Sequence, residues 1–353
     1  MTSGSIIYVD VSVKRGELIG IKRLTAVATV TLSVLFTACG REAEKSELTI
    51  YAMDTVMSLT VYGDDADRLT AQASARINEL SSLWAAGDTG SEVGRLNNGE
   101  EVELSPETTE LISFSLAMAT QTDGALDIRL YPLMKEWGFT TGEYNVPEAN
   151  RLNELLDIRG DIHISGSTLA LPQGTEIDLG AVAKGYTGDI LYEMLSEAGV
   201  TSAILDLGGN IHVIGGKPDG TPWRLGIKDP RADGNIGVLE LYDSAAVTSG
   251  DYERYFEDDG TRYCHILDPK TGRPAANGLC SVTVVGKEGR LCDALSTALF
   301  VMGSEDAERY WRSHNDFQMI LIEIDGDILI TEGLEHSFTL SDGTNSKVQI
   351  IRR

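Results

Sequence analysis

The clearest local signal in the chain is the stretch Ile177-Asp178-Leu179-Gly180-Ala181-Val182-Ala183-Lys184-Gly185-Tyr186. A short strand is expected to end at Gly180, and a helix with apolar residues at helical spacing to run from there to Gly199. Glycine lets the backbone approach a ligand closely, and the free N–H groups at a helix N-terminus bind anions. A lysine in the first turn opposes the helix dipole, so Lys184 is better explained if a phosphate or carboxylate lies beside it. The simpler interpretation is a plain strand-to-helix turn with a solvated lysine, because neither GxxxxGK(S/T) nor GxGxxG is present.

Helices and short strands alternate on both sides of this stretch. The predicted elements are, in chain order, a strand pattern over 48–62, a helix after Gly63, helices beginning at Ser105-Pro106 and near Pro147, short strands after Gly199, a helix over about 292–302, another after Ser304, and a hairpin at Asp325-Gly326. Internal repeats, coiled coils and low-complexity stretches are absent from the sequence. The pattern predicts an α+β fold, a single mixed domain with antiparallel strands and packed helices.

The 353-residue chain is strongly acidic, with 54 Asp and Glu residues against 29 Lys and Arg and a net charge of −25. Such a surface repels nucleic acid, which excludes the phosphate-neutralising surface of a DNA- or RNA-binding protein. An anionic nucleotide can still bind an acidic protein through a local device such as a bound cation, a lysine or a helix N-terminus. We therefore expect no nucleic-acid partner, and any nucleotide site must depend on such devices.

The first 38 residues predict an export signal that is not part of the fold. Four basic residues precede an apolar run over 24–36, too short to span a bilayer comfortably, and the run ends in Phe36-Thr37-Ala38-Cys39-Gly40. Small residues before a cysteine resemble a bacterial lipoprotein signal, so we expect Cys39 to be the lipidated N-terminus, 39–47 a polar tether and 48–353 the folded domain. The protein would then be lipid-anchored to the cell membrane on its extracytoplasmic face. The alternative is a cleaved signal whose cysteine is incidental.

Asp293 and Thr297 form a second candidate constellation. Residues four apart lie on one face of a helix, so this carboxylate and this hydroxyl would stand side by side. Magnesium takes oxygen ligands, few of them from protein and the rest from phosphate and water. The simpler interpretation is an aspartate that complements the helix dipole and a threonine that bonds its own backbone.

His265 is the third candidate, and it follows Cys264 in an apolar stretch that predicts a strand. A histidine inside such a strand must have a hydrogen-bond partner or a chemical role, and a core histidine bonded to a backbone carbonyl is the simpler interpretation. If Cys39 carries lipid, three cysteines remain, so at most one disulfide can form and its partners are left open.

Taken together, these blocks and several others resemble the ApbE flavin transferases (FAD:protein FMN transferases) over essentially all of residues 48–335. The motifs that carry the resemblance, in the family's order, are Met53-Asp54-Thr55-Val56-Met57, Ser91-Glu92-Val93-Gly94-Arg95-Leu96-Asn97, Gly124-Ala125-Leu126-Asp127, Trp137-Gly138-Phe139, 178–186, Asp206-Leu207-Gly208-Gly209-Asn210, 223–230, Thr248-Ser249-Gly250-Asp251-Tyr252, 265–272 and 293–297. The resemblance implies an ApbE-like, T-fold-like architecture, with 48–353 as the catalytic domain.

The resemblance also implies a set of site residues. Contacts to FAD are implied at Met53, Trp84, Ala125, Leu126, Asp127, Asp178, Lys184 and Ile266, and Mg²⁺ would be held by the backbone oxygen of Ala181 and the side chains of Asp293 and Thr297, with Ser296 nearby. Trp84 stands where a tyrosine is more usual, and Asp54 where many members have glycine. Cys264 beside His265 is a further departure, which leaves open a redox-sensitive thiol.

The implied reaction is magnesium-dependent transfer of FMN from FAD to a threonine or serine hydroxyl of an acceptor protein, with AMP leaving and His265 as the candidate general base. The implied acceptor is a short flavinylation segment on a membrane redox subunit or an extracellular flavoprotein. A lipid anchor would keep enzyme and acceptor on one membrane face. Two other functions stay open: an FAD pyrophosphatase that releases FMN and AMP, and a non-enzymatic flavin-binding lipoprotein.

Overall fold

A computed structural model of the chain describes residues 44–353. The predicted signal over 1–38, the predicted lipidation site Cys39 and the first part of the tether lie outside the described residues. Within 44–353, no helix combines the length and the apolar composition needed to cross a bilayer.

Residues 44–353 form sixteen strands and eight α-helices. The strands are β1 (Lys45–Ala52), β2 (Thr55–Tyr62), β3 (Val102–Glu103), β4 (Thr168–Leu169), β5 (Ser202–Asp206), β6 (Asn210–Ile214), β7 (Trp223–Lys228), β8 (Asn235–Leu241), β9 (Ser244–Gly250), β10 (Tyr255–Asp258), β11 (Thr261–Cys264), β12 (Leu279–Gly286), β13 (Phe317–Glu323), β14 (Ile328–Thr331), β15 (Phe338–Leu340) and β16 (Val348–Ile351). The helices are α1 (Ala66–Trp84), α2 (Glu92–Asn97), α3 (Pro106–Gln121), α4 (Tyr131–Glu136), α5 (Ala149–Asp157), α6 (Ala183–Glu197), α7 (Gly289–Met302) and α8 (Ser304–Ser313). Single 3₁₀ turns occur at Ile128–Leu130 and Glu332–Leu334.

Nine strands form one sheet in the order β1-β2-β5-β6-β9-β12-β13-β14-β16. All neighbouring pairs are antiparallel except β14 and β16. Successive side chains on a strand point to opposite faces, so Met319 and Leu321 of β13 join the core on the helical side. Ile320 and Ile322 join the core on the other side, together with residues of a three-stranded sheet, β15-β8-β7. This arrangement confirms the predicted α+β class with antiparallel strands and packed helices.

The helices predicted from apolar spacing and caps are present. In α1 the residues at steps of three and four, Leu69, Ala73, Ile77, Leu80 and Trp84, are all buried. The Ser105 side chain accepts a hydrogen bond from the backbone N–H of Thr108 at 3.3 Å, as expected of a residue that caps α3. α6 and α7 pack against each other and against β6, β9 and β12 in the middle of the large sheet.

The strand predicted over 48–62 is a hairpin. β1 and β2 pair in antiparallel register around a tight turn at Met53 and Asp54, whose φ angles are 48° and 59°. Aspartate tolerates this left-handed backbone better than most residues, which helps to explain the turn. The apolar alternation continues across it, so the sequence pattern alone does not show where the chain reverses.

Three other boundaries also differ from the sequence prediction. No strand precedes Gly180 within the described stretch 170–182, and α6 starts at Ala183. α7 begins at Gly289, three residues before the predicted start at Cys292. β11 ends at Cys264, so His265 lies just beyond a strand and not inside one. Periodicity marks the middle of an element better than its ends, where single hydrogen bonds decide the boundary.

Candidate active site

The structure brings Asp293 onto the glycine-led bend that opens α6. The Asp293 carboxylate accepts the backbone N–H of Gly185 at 2.8 Å through Oδ2. Through Oδ1 it accepts the side-chain amide of Asn210, on β6, at 3.2 Å. Two segments more than 100 residues apart in the sequence therefore meet in one site.

Gly185 allows this contact because a side chain would not fit there. A Cβ atom at this position would lie 2.7 Å from Cβ of Asp293 and would overlap the backbone carbonyl of Gly289. α6 and α7 are consequently in backbone contact at their N-terminal turns. The position of Asp293 is fixed by the packing of two helices and not by a loop.

The environment of Asp293 suits a bound cation. Its side chain is only 3% exposed. Among residues 44–353 no lysine, arginine or histidine forms an ion pair with it, and its partners are the uncharged donors of Gly185 and Asn210. The Oδ1 atom of Asn210, next to it, is buried without a hydrogen-bond partner in the described chain. A buried carboxylate and an unpaired buried oxygen are both costly unless a further group compensates them.

The oxygen atoms near Asp293 match the preferences of magnesium. Thr297, one turn further along α7, is partly exposed, and its Oγ1 lies 3.3 Å from Oγ of Ser249 on β9. Ser296 is fully buried and its hydroxyl lies 2.8 Å from the same Ser249 oxygen. No group of three or more His, Cys, Asp and Glu side chains in 44–353 could hold a metal. The predicted ligand set has one carboxylate, one hydroxyl and one main-chain oxygen, so phosphate and water would complete it.

The bend before α6 is held in a fixed shape. The Asp178 carboxylate accepts the backbone N–H of Gly180 at 2.7 Å, and Nζ of Lys184 lies 3.3 Å from the backbone oxygen of Gly180. Ala181, the third predicted magnesium ligand, is partly exposed in this bend. The residue before α6, Val182, makes no side-chain cap. In the first turn the N–H of Ala183 donates to the carbonyl of Leu179 and the N–H of Gly185 donates to Asp293, so among the described residues the N–H of Lys184 is the one left for an anion.

His265 is oriented as a proton acceptor. Its Nδ1 lies 3.2 Å from the backbone oxygen of Arg254, which also accepts the His265 backbone N–H at 2.9 Å. A carbonyl oxygen can only accept, so Nδ1 carries the proton and Nε2 keeps its lone pair. Burial, and after it the positive charge of Arg254, lowers the pKa of His265 well below its ordinary value. The imidazole is therefore neutral at pH 7.

His265 lies within the electrostatic reach of the α6 N-terminus. The charge of Lys184 contributes to the lowered pKa of His265. The same lysine, together with Lys228 and Arg254, opposes the rise that burial causes in the pKa of Glu253. The base candidate and the predicted anion-binding turn therefore belong to one region, and His265 is itself partly exposed to solvent.

Seven of the eight residues implied as FAD contacts fall into two groups, and Asp127 is described separately below. Asp178 and Lys184 lie in the bend before α6 and in its first turn, and Met53 in the β1–β2 turn, where its sulfur is 3.9 Å from Oγ1 of Thr187 on α6. The second group is buried in the apolar core, with each residue at most 8% exposed: Trp84, Ala125, Leu126 and Ile266. The contacts remain predictions for both groups.

Trp84 and Asp127 already have protein partners for their polar atoms. The Trp84 ring packs against Tyr186 at 6.0 Å between centroids, and its N–H donates to Oγ1 of Thr108 at 3.0 Å. The Asp127 carboxylate forms ion pairs with Arg129 at 2.9 Å and Arg159 at 2.8 Å. Both side chains therefore have a structural role within the chain, whether or not they contact FAD.

Sequence reasoning did not assign a role to Asn210 or Ser249. Asn210 starts β6 directly after a turn in which Asp206 accepts the N–H groups of Gly208 and Gly209, both at 3.0 Å. The motif Asp206-Leu207-Gly208-Gly209-Asn210 was the available signal, because the tight turn places Asn210 at the first position of β6. Two surface cavities of about 320 and 450 Å³ contain none of the predicted site residues.

Comparison with known proteins gives consistent matches. The family model described as "ApbE family" matches residues 53–321. A protein of Vibrio cholerae named FAD:protein FMN transferase is 33% identical over 297 residues, which cover 80% of this chain and 88% of that protein. The solved ApbE protein of Thermotoga maritima is 32% identical with a TM-score of 0.78, covering 83% of this chain and 99% of that one. The solved flavin transferase ApbE of Vibrio cholerae is 30% identical with a TM-score of 0.74, over 83% and 99%.

Proposed function

Because the chain belongs to the ApbE family, we propose that it transfers FMN from FAD to a threonine or serine hydroxyl of an acceptor protein and releases AMP, with Mg²⁺ as cofactor. The observation that carries the proposal is the 2.8 Å bond between Asp293 and the N–H of Gly185. It joins the predicted metal ligands to the predicted phosphate-binding turn in one site.

A protein of net charge −25 needs local positive charge to bind the FAD pyrophosphate. Lys184, through its side chain and its backbone N–H in the first turn of α6, would bind and orient it. The residues placed to hold Mg²⁺ are Asp293, Thr297 and the backbone of Ala181, and the ion when bound would neutralise charge on the phosphates. Phosphoryl transfer depends mainly on such positioning and charge neutralisation.

His265 would take the proton of the incoming hydroxyl. The acceptor oxygen forms a bond to the FMN phosphorus, the bond from that phosphorus to the AMP oxygen breaks, and the hydroxyl proton passes to Nε2. The neutral ring, fixed by the carbonyl of Arg254, is prepared for this role. General-base help of this kind is worth roughly 10²–10⁴-fold in rate.

The proposal includes the cellular location. Lipidation at Cys39 would anchor the enzyme on the extracytoplasmic face of the cell membrane, near membrane redox subunits or extracellular flavoproteins that could serve as acceptors. The basic, apolar and small-residue pattern before Cys39 supports this part. Labelling cells with a fatty acid should mark the wild-type protein and not the Cys39→Ala variant; equal labelling of both would refute it.

The test of the proposed function is an incubation of the enzyme with FAD, Mg²⁺ and a candidate acceptor protein. Mass spectrometry should show the acceptor gaining one FMN less one water, with AMP released in equal amount. The matched acceptor with its threonine changed to alanine should gain nothing. Release of free FMN with no acceptor adduct would identify an FAD pyrophosphatase, and absence of any turnover would identify a flavin carrier.

A further inference from the structure

α6 and α7 bind each other's N-termini in the same way. Asp293 of α7 accepts the N–H of Gly185 on α6 at 2.8 Å. In return Asp189 of α6 accepts the N–H of Gly289 at 2.6 Å and of Arg290 at 2.9 Å, the first two residues of α7. On each helix the carboxylate lies four residues after the glycine, as expected for two helices that run antiparallel at their contact.

From this arrangement, and resting on the proposed function, we propose that Asp189 is a positioning residue. By fixing the first turn of α7 against α6, its carboxylate holds Asp293 and Thr297 in the orientation that binds Mg²⁺. Among the described residues the Asp189 carboxylate is hydrogen-bonded to Gly289 and Arg290, which are not predicted ligands or FAD contacts, so it would act through α7.

The contact between the helices leaves no room for an alternative register. A Cβ atom on Gly289 would overlap the imidazole of His212, which is buried on β6 between α6 and α7. A side chain on Gly188 of α6 would overlap the same ring. Because the backbones touch, loosening the start of α7 would move Asp293, one turn further on, relative to Gly185. Asp189, which accepts the first two N–H groups of α7, is therefore linked to the position of Asp293 through the close packing of the two helices.

The pKa of the Asp189 carboxyl is higher than that of an ordinary aspartate. Burial raises its pKa from 3.8 to about 6, although the N–H groups of Arg290 and Gly289 and the charge of Arg290 oppose the rise and Glu288 adds to it. Burial keeps His212 neutral, with a pKa of about 4, and raises the pKa of Cys292 on α7 well above its ordinary value.

Glu110 on α3 is a further titratable group in these surroundings, since it pairs with Arg290. The pKa of Glu110 is lowered by its hydrogen bond with Tyr186 and then by that with Arg290. Asp189 is therefore the group in these surroundings whose charge changes near pH 6.

A fall in pH is expected to act in opposite directions on Mg²⁺ binding and on the contribution of Asp189 to the free energy of unfolding. Below about pH 6 Asp189 is protonated, and a protonated carboxyl has fewer acceptor sites for the two N–H groups of α7. Folding raises the pKa of this carboxyl, so its contribution to the free energy of unfolding falls as the pH rises from 3.8 to about 6. Acid therefore does not unfold the protein through this group. Magnesium binding is expected to weaken in acid while this contribution to stability increases.

The experiment compares Asp189→Asn with Glu193→Gln in the full chain. Glu193 is exposed on the same helix, one turn later, so its change removes a charge without removing a cap. The readout is the Mg²⁺ concentration that gives half of the Mg²⁺-induced rise in Tm, measured without FAD. Loss of a residue that orients a ligand typically costs about 10–100-fold in metal affinity, so Asp189→Asn should need 10–100-fold more Mg²⁺. Glu193→Gln should match the wild type.

A second measurement keeps the test decisive if Asp189→Asn does not fold. In the wild type, amide hydrogen exchange at Gly289 and Arg290, corrected for intrinsic rates, should lose protection between pH 8 and pH 5, while Leu299 later in α7 keeps it. Unchanged protection, or equal Mg²⁺ requirements in the two variants, would overturn the proposal. Neither readout needs catalysis, so a wild type that binds Mg²⁺ but transfers no FMN would refute the proposed function alone.

Discussion

The two halves of the candidate site are built differently. Asp293 lies at the backbone contact of two helices, 3% exposed, with donors on both carboxylate oxygens. His265 follows the isolated two-stranded sheet of β10 and β11, is partly exposed, and has its ring oriented by one carbonyl oxygen. The half that would handle the charge of a pyrophosphate is thus fixed before any substrate binds. The half that would meet an acceptor protein is reachable from solvent.

The largest expected effect comes from breaking the buried half. Asp293→Ala removes the one carboxylate of the predicted ligand set, and FMN transfer should fall by about 10³-fold or more. The reason is that a bound metal ion supplies several kcal/mol of charge stabilisation, and each 1.4 kcal/mol is tenfold in rate. The measurement is the rate of acceptor flavinylation against Mg²⁺ concentration.

The matched control is Asp306→Ala, an exposed acid in the first turn of α8 whose one ion pair within 44–353 is with Arg309. It should leave both rate and Mg²⁺ requirement unchanged. If Asp293→Ala kept normal activity at ordinary Mg²⁺, the metal site would have to lie elsewhere.

The next largest effect comes from the open half. His265→Ala should lower the transfer rate by about 10²–10⁴-fold, the usual contribution of a general base. FAD binding should persist, because the pyrophosphate would be bound by the other half of the site. Single-turnover kinetics and FAD fluorescence titration measure the two quantities separately.

His163→Ala is the control for this change, since His163 is exposed and has no hydrogen bond among the described residues. A small effect of His265→Ala on the rate would assign the base to another group. The pH profile is a further check. Because the pKa of His265 lies well below its ordinary value, the rate should not fall near pH 6.5 through this residue.

The difference between the halves also decides how far the sequence could predict them. Asp293 and Thr297 are four apart on one helix, so their proximity follows from helical geometry. Repeating apolar steps and the serine cap likewise predicted α1 and α3. Contacts of Asn210 or Asp189 with α7 span 83 to 101 residues, and no local pattern specifies which distant backbone a side chain will meet. The turn at Met53 was missed for a related reason, because strand alternation does not record a reversal of direction.

A smaller effect is expected within the buried half at Thr297. Thr297→Val keeps the shape of the side chain and removes the hydroxyl, so the Mg²⁺ concentration for half-maximal transfer should rise about tenfold, the lower end of the range for a disturbed metal site. Thr297→Ser retains the hydroxyl and should stay within about threefold of wild type. Equal behaviour of the two variants would remove Thr297 from the ligand set, leaving its bond with Ser249 as its role.

The smallest effect is expected at Cys264. This residue directly precedes the partly exposed His265, but its own side chain is buried. Its side chain is 3% exposed, and burial raises the pKa of the thiol to about 11. The thiolate is the reactive form, so at pH 8 very little of this cysteine can react. An alkylating reagent at pH 8 should leave transfer within about twofold of the untreated enzyme, and Cys264→Ala should behave similarly. The other described cysteines, Cys280 and Cys292, are also buried and unpaired, with raised pKa values, so they should not obscure the result. Rapid inactivation of the wild type but not of Cys264→Ala, with the label found on Cys264, would instead show that the segment before His265 opens far enough for this thiol to sense oxidants.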